Sequence, residues 1–148
     1  MLFARDLQIT WSEDQKYWQW VCLKETSDME IEAASLLNVC WLEIHGRFDT
    51  SLLSPGATYD VSFVVMMELG YGWATPVNLR LVLPDGSVQQ RRESLLDRPG
   101  GQWIELKAGE LAARKDQAGQ MEFSLYEYEG GQWKRGLIVK GVLVRPKK

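Results

Sequence analysis

The sequence predicts an all-β protein, a jelly-roll β-sandwich folded as a single domain over residues 1–148. Three observations carry that expectation. Apolar residues recur with a period of two and not 3.6, the mark of half-buried strands. Turn residues interrupt the chain roughly every 8–15 residues, a spacing suited to short antiparallel strands. Helix signals are weak, because no strong cap is followed by a long apolar stripe.

The elements follow in order. Leu7, Ile9 and Trp11 alternate with Gln8 and Thr10 as a first strand. Through the polar insert Ser12-Glu13-Asp14-Gln15-Lys16 it leads to Tyr17-Trp18-Gln19-Trp20, so Leu7 to Cys22 reads as a hairpin. Ile31 to Leu37 suggests a helical turn or two. In Val39 to Phe48 the apolar residues occupy both parities, Cys40, Leu42 and Ile44 against Val39 and Trp41, as in an interior strand with both faces partly covered. Tyr59, Val61, Phe63 and Val65 alternate with Asp60, Ser62 and Val64. Leu79 to Leu83 and the residues from Val88 flank Pro84-Asp85-Gly86-Ser87, where proline presets the turn and glycine accepts positive φ. Gln102 to Lys107 forms a short strand and Gly109 to Lys115 another weak helical segment. Met121, Phe123 and Leu125 alternate with Glu122, Ser124 and Tyr126, and Gly130-Gly131 breaks the chain before a last strand from Leu137 to Arg145. Gly-Gly-Gln-Trp occurs at 100–103 and 130–133 with unlike neighbours, a reused turn-into-strand device and not a repeat.

A chain of 148 residues buries roughly 70% of its unfolded surface as one domain, so no staple is required. The net charge of −3, with only the short basic clusters Arg91-Arg92 and Lys147-Lys148, argues against a nucleic-acid partner, which demands clustered cations. The N-terminus, Met1-Leu2-Phe3-Ala4-Arg5-Asp6, lacks the apolar run of about 7–15 residues of a signal peptide. No segment approaches the ~20 apolar residues of a membrane span, so a cytoplasmic protein without membrane insertion is expected. Cys22 and Cys40 make no disulfide framework and fit small buried thiols in a reducing compartment; pairing between subunits stays open.

Few residues offer chemistry. His45 is the single histidine and lies on a predicted strand without a nucleophile signature, which favours a structural imidazole. One His and two Cys without ligand spacing do not complete a zinc set, so neither metal nor cofactor is expected. Gly70 and Gly72 precede Ala74-Thr75-Pro76 and no helix start, which fits a surface loop better than a phosphate cradle. Glu127 continues the inward parity of Met121, Phe123 and Leu125. Either the strand has ended and the carboxylate meets solvent at the rim, or it is held at the mouth of the sandwich to accept hydrogen bonds.

The chain carries seven tryptophans. Trp20, Trp41 and Trp103 have apolar or β-rich neighbours and are assigned to the core. Trp11 and Trp18 bracket the polar insert; as hairpin neighbours they form a platform on which the apolar face of a pyranose ring stacks.

Those residues resemble a known family. Trp11 through Tyr17-Trp18-Gln19-Trp20, Val39-Cys40-Trp41-Leu42-Glu43-Ile44-His45-Gly46, Gly119 through Glu127, and Trp133-Lys134-Arg135-Gly136-Leu137-Ile138-Val139-Lys140-Gly141 are similar to the phloem protein 2 family of plant lectins, including the Nictaba-like lectins. The likeness runs from about Ala4 to Pro146, and the closing Trp-Lys block is its most specific part; length and mass are similar to those of the small cucurbit phloem lectins. The resemblance implies a jelly roll that binds N-acetylglucosamine oligomers (chitooligosaccharides) and N-glycan cores without catalysis or metal, as a dimer in cytoplasm or phloem sap. It implies sugar-site roles for Trp11, Trp18 and Glu127; Gln120 stands where the family pattern has another glutamate. The internal Lys-rich run that some relatives use for nuclear entry is lacking, so nuclear localisation is not expected.

Two rival functions remain at this level. A sugar hydrolase requires two carboxylates about 5–9 Å apart, with Glu127 one of them. A phloem assembly component instead presents its aromatic patch to another protein.

Overall fold

A computed structural model describes residues 2–26, 29–96, 98 and 100–147. Among these residues the strands are β1 (Leu2–Phe3), β2 (Gln8–Ile9), β3 (Trp18–Thr26), β4 (Met29–Leu36), β5 (Leu42–Asp49), β6 (Thr58–Tyr71), β7 (Val77–Val82), β8 (Val88–Glu93), β9 (Trp103–Ala112), β10 (Gln120–Glu127) and β11 (Arg135–Pro146). They form two facing antiparallel sheets. One has the order β3-β4-β11-β6-β9, with β1 also pairing β11; the other runs β2-β5-β10-β7-β8. The single-domain β-sandwich expected from the period-two patterning is the fold observed.

The core lies between the sheets. Met121, Phe123 and Leu125 of β10 point inward with Ile44 of β5 and Leu79 and Leu81 of β7, and they meet Val61, Phe63 and Val65 of β6. Phe63 and Phe123 touch edge to face across the sandwich, ring centroids 5.9 Å apart. The Pro84–Ser87 turn joins β7 to β8 as expected: Gly86 takes φ 88°, and the Leu83 N–H donates to the Ser87 carbonyl.

Three expected elements differ. Ile31–Leu37 is not helical, since residues up to Leu36 form β4 between β3 and β11. Ala33 and Ala34 are both fully buried there, and tertiary pairing overrides the helical preference of alanine. Gly109–Lys115 is not helical either, because β9 continues through Ala112 against β6, where Gly109 faces Val61 and Leu111 faces Tyr59.

The third difference matters most for function. Leu7 to Cys22 is no hairpin. β2 is only two residues long and pairs β5 in one sheet, whereas β3 pairs β4 in the other. Residues 10–17 therefore cross from one layer of the sandwich to the other. The crossing begins at Trp11, whose backbone takes φ 71°, a left-handed conformation costly for a bulky residue. The Ser12 N–H donates to the Ile9 carbonyl and the Asp14 N–H to the Trp11 carbonyl, holding the turn.

Candidate functional site

At the end of the sandwich where this crossing runs, four aromatic residues gather. Trp11, Tyr17, Trp41 and Trp133, with Val39 and Cys40, line a hollow of about 140 Å³. Trp11 follows β2 and Trp41 precedes β5, both in one sheet; Tyr17 precedes β3 and Trp133 lies just before β11, both in the other. The hollow thus spans both layers. Its indoles face solvent, Trp11 being 55% exposed, Trp41 45% and Trp133 52%.

Neighbours fix the orientation of these rings. Trp11 meets Tyr17 edge to face with centroids 5.7 Å apart. Trp41 lies almost parallel to Tyr128 at 4.1 Å, and Tyr128 stacks in turn near Tyr126 at 5.5 Å. An aromatic contact of this kind contributes roughly 0.5–1.5 kcal/mol beyond the area it buries. The Trp41 indole N–H donates to Glu43 Oε1 at 3.1 Å, and Thr10 Oγ1 donates to the same oxygen at 3.3 Å. Burial, and then the nearby Glu43 carboxylate, push the Tyr128 phenol above its ordinary pKa.

Trp133 depends on close backbone packing beneath it. Gly72 takes φ 92°, and a Cβ there would lie 2.0 Å from the Trp133 carbonyl oxygen. Gly70 is equally crowded, a Cβ falling 1.9 Å from the Arg135 carbonyl oxygen. The Gly70-Tyr71-Gly72 segment lies at the surface as expected, Tyr71 being exposed, but its backbone is closely packed and Gly70 and Tyr71 close β6 instead of forming a loop.

A buried ion pair lies behind the hollow. The Lys134 ammonium, fully buried, sits 3.4 Å from Glu127 Oε1. The same ammonium donates to the Cys40 carbonyl at 3.0 Å and the Gln132 carbonyl at 2.9 Å, while Glu127 also accepts the Gly130 N–H at 3.2 Å.

The four residues singled out from sequence are not brought together. Trp11 is at the hollow. Trp18 is in the core, 1% exposed, and has no ring face to offer a ligand; β3 begins there with its side chain turned between the sheets. Glu127 does face inward, yet it is 3% exposed and engaged by Lys134, so it neither meets solvent at the rim nor stands open at a mouth. Gln120 opens β10 beside Asp49, seven residues before Glu127, and at about 3.3 Å per residue lies roughly 23 Å away.

Of the three tryptophans assigned to the core, one reverses its assignment. Trp41, expected in the core, is exposed. Trp20 is half-buried at the core's edge with the Arg5 guanidinium 3.7 Å above its ring, and Trp103 is half-buried near Lys140. Tyr128, Glu43 and Trp133 carried no site signal in the sequence.

The remaining candidates have structural surroundings. His45 is half-buried on β5 opposite Gln8 and Ser124. Cys22 and Cys40 are free thiols, Cys22 exposed and not buried as expected. Arg91 pairs with Glu93 on the edge strand β8, Lys147 pairs with Glu110, and Met1 and Lys148 lie outside the described residues. Among the described residues no group of three His, Cys, Asp or Glu is placed to hold a metal ion, and no helix is long and apolar enough to cross a membrane.

The fold defines a class first. The chain superposes on a xylan-binding domain from Paenibacillus barcinonensis with a TM-score of 0.52, covering 100% of this chain and 90% of that domain. At 11% identity the likeness is one of fold, a β-sandwich. Sequence gives the family: the phloem protein 2 profile matches residues 1–146, and the chain belongs to the phloem protein 2 family. PHLOEM PROTEIN 2-LIKE A1 of Arabidopsis thaliana is 49% identical over 150 residues, which take in 99% of this chain and 61% of that protein. A lectin of Luffa acutangula is 42% identical over 149 residues, 99% of this chain and 70% of its own length. The chain thus spans about three fifths of the first relative and seven tenths of the second.

Proposed function

We propose that the protein is a non-catalytic carbohydrate-binding lectin that holds N-acetylglucosamine oligomers and N-glycan cores at the aromatic hollow. The observation that carries this reading is the cluster of Trp11, Trp41 and Trp133, three exposed indoles converging with Tyr17 on one small hollow. A pyranose presents an apolar C–H face and a hydroxylated edge; an indole stacks on the first, and carboxylate or phenol groups accept from or donate to the second. Trp11 keeps the stacking role and Trp41 joins it, while Glu43 and Tyr128 supply polar groups at the edge. A hollow of about 140 Å³ has room for part of one residue, such as an acetamido group, with the rest of the chain lying over the indoles. The lectin from Luffa acutangula, similar over nearly the whole chain, supports the same reading.

Such a site is shallow. A homodimer in cytoplasm or phloem sap raises avidity for glycoproteins by offering a second site at high effective concentration. Isothermal titration with chitotriose tests the reading: wild-type binding that Trp41→Ala or Trp11→Ala weakens supports it, and absence of binding across a series of chitooligosaccharides overturns it. Mass analysis of the oligosaccharide after incubation tests the non-catalytic part, since any turnover contradicts it.

A further inference from the structure

We propose that Lys134 is the positioning residue of the aromatic hollow, setting the rings of Trp41, Trp133 and Tyr128 from behind without touching a ligand. The buried ammonium has three partners: it donates to the Cys40 carbonyl at 3.0 Å and the Gln132 carbonyl at 2.9 Å, and it forms an ion pair with Glu127 Oε1 at 3.4 Å. Each partner belongs to the residue immediately before an aromatic one. Cys40 precedes Trp41, Gln132 precedes Trp133 and Glu127 precedes Tyr128. One buried atom therefore ties the distant Cys40–Trp41 segment to the stretch that runs from Glu127 through Trp133. The Lys134 backbone adds a fourth tie, its N–H donating to the Val39 carbonyl at 2.7 Å and its carbonyl accepting the Val39 N–H at 3.1 Å.

Stability does not account for a lysine here. Burying an ammonium is costly, and a well-packed apolar side chain of similar volume generally serves a core as well or better. What an apolar side chain lacks is the ability to hold two carbonyls and a carboxylate at fixed angles about one point. The parallel contact of Trp41 with Tyr128 depends on that geometry, since the two rings hang from the Cys40 and Glu127 segments that Lys134 joins.

The binding arm of the test rests on the lectin reading; the spectroscopic arm does not. Wild type is compared with Lys134→Met and with Lys134→Met/Glu127→Gln, the second leaving no buried charge while its amide oxygen still accepts from Gly130. Thermal unfolding, near-UV circular dichroism of the free protein and chitotriose titration are measured on each. The double variant is expected to unfold at a higher temperature than Lys134→Met. It is still expected to lose the near-UV signature of the coupled Trp41–Tyr128 rings and to bind about tenfold or more weakly than wild type. A double variant with the wild-type near-UV spectrum and affinity overturns the proposal. If the neutral variants do not fold, Lys134→Arg decides it, because the planar fork keeps the charge but cannot reproduce the three-point tie. An altered near-UV spectrum in Lys134→Arg supports the positioning role and an unchanged one overturns it. A wild type that binds no chitooligosaccharide overturns the lectin reading, and the near-UV comparison then decides the role of Lys134 alone.

Discussion

Trp41 and Tyr128 lie 4.1 Å apart with their planes inclined by 8°, and Trp41 is also held by Glu43 through its indole N–H. The exposed ring is thereby fixed before any ligand arrives, which lowers the entropic cost of binding. Trp41→Ala removes the stacking face and is expected to weaken chitotriose binding by about tenfold or more. Tyr128→Ala is expected to weaken it less, since it removes the backing ring and its phenol but leaves the Trp41 stacking face in place. Titration calorimetry on the two variants reads the order.

The Tyr128 phenol titrates late. Burial, then the Glu43 charge, raises its pKa in the folded chain above the unfolded value. The neutral phenol is the form favoured by folding, so its contribution to stability is complete below the unfolded pKa. That contribution is lost as pH rises through the folded pKa. Spectrophotometric titration is expected to show a tyrosine ionising above the ordinary phenol pKa, and Tyr128→Phe to remove it.

Glu110 behaves in the opposite sense. Hydrogen bonds from Lys107 at 2.5 Å and Lys147 at 2.7 Å hold its carboxyl down to about 2. Its contribution to stability is present above the unfolded pKa near 4.5 and is lost as pH falls toward 2. Carboxyl-detected NMR titration is expected to find that low midpoint, and Glu110→Gln to flatten the acid limb of the unfolding curve in this window.

Trp18 and Trp11 separate a core role from a surface role. Trp18→Phe refills most of the buried site and is expected to keep chitotriose affinity within about twofold while lowering stability by about 1–3 kcal/mol in urea unfolding. At Trp11 the backbone conformation adds a second readout. Trp11→Gly accepts φ 71° without strain, so it is expected to be more stable than Trp11→Ala by about 1 kcal/mol, with both variants binding sugar weakly.

Gln120 serves as the control. It stands at the far end of β10 from the hollow, so Gln120→Ala is expected to leave chitotriose affinity unchanged in the same titration.

Strand parity was legible where a strand has one wet face. Met121, Phe123, Leu125 and Glu127 all point inward as their alternation requires, and the Pro84–Ser87 turn is where its residues place it. Pairing partners were not legible. Leu7–Ile9 and Trp18–Cys22 are separated by a short polar insert of the sort that closes hairpins, yet they join different sheets, and no local pattern distinguishes a turn within a sheet from a crossing between two. The site suffered for the same reason. Trp18 and Trp41 have similar β-rich neighbours, and only the three-dimensional register buries one and exposes the other. Lys134, in a polar-looking Gln-Trp-Lys-Arg run, gave no hint of a fully buried ammonium.

The crossing of residues 10–17 between layers has a mechanical consequence. Because Trp11 and Trp41 are carried by one sheet and Tyr17 and Trp133 by the other, a ligand seated among them acts as a clasp across the sandwich. Sliding or separating the sheets breaks the grip, and by linkage occupancy resists that separation. Sugar bound at the hollow is thus expected to act well beyond it, slowing amide exchange along β5 and β11 together and raising the temperature at which the two layers come apart.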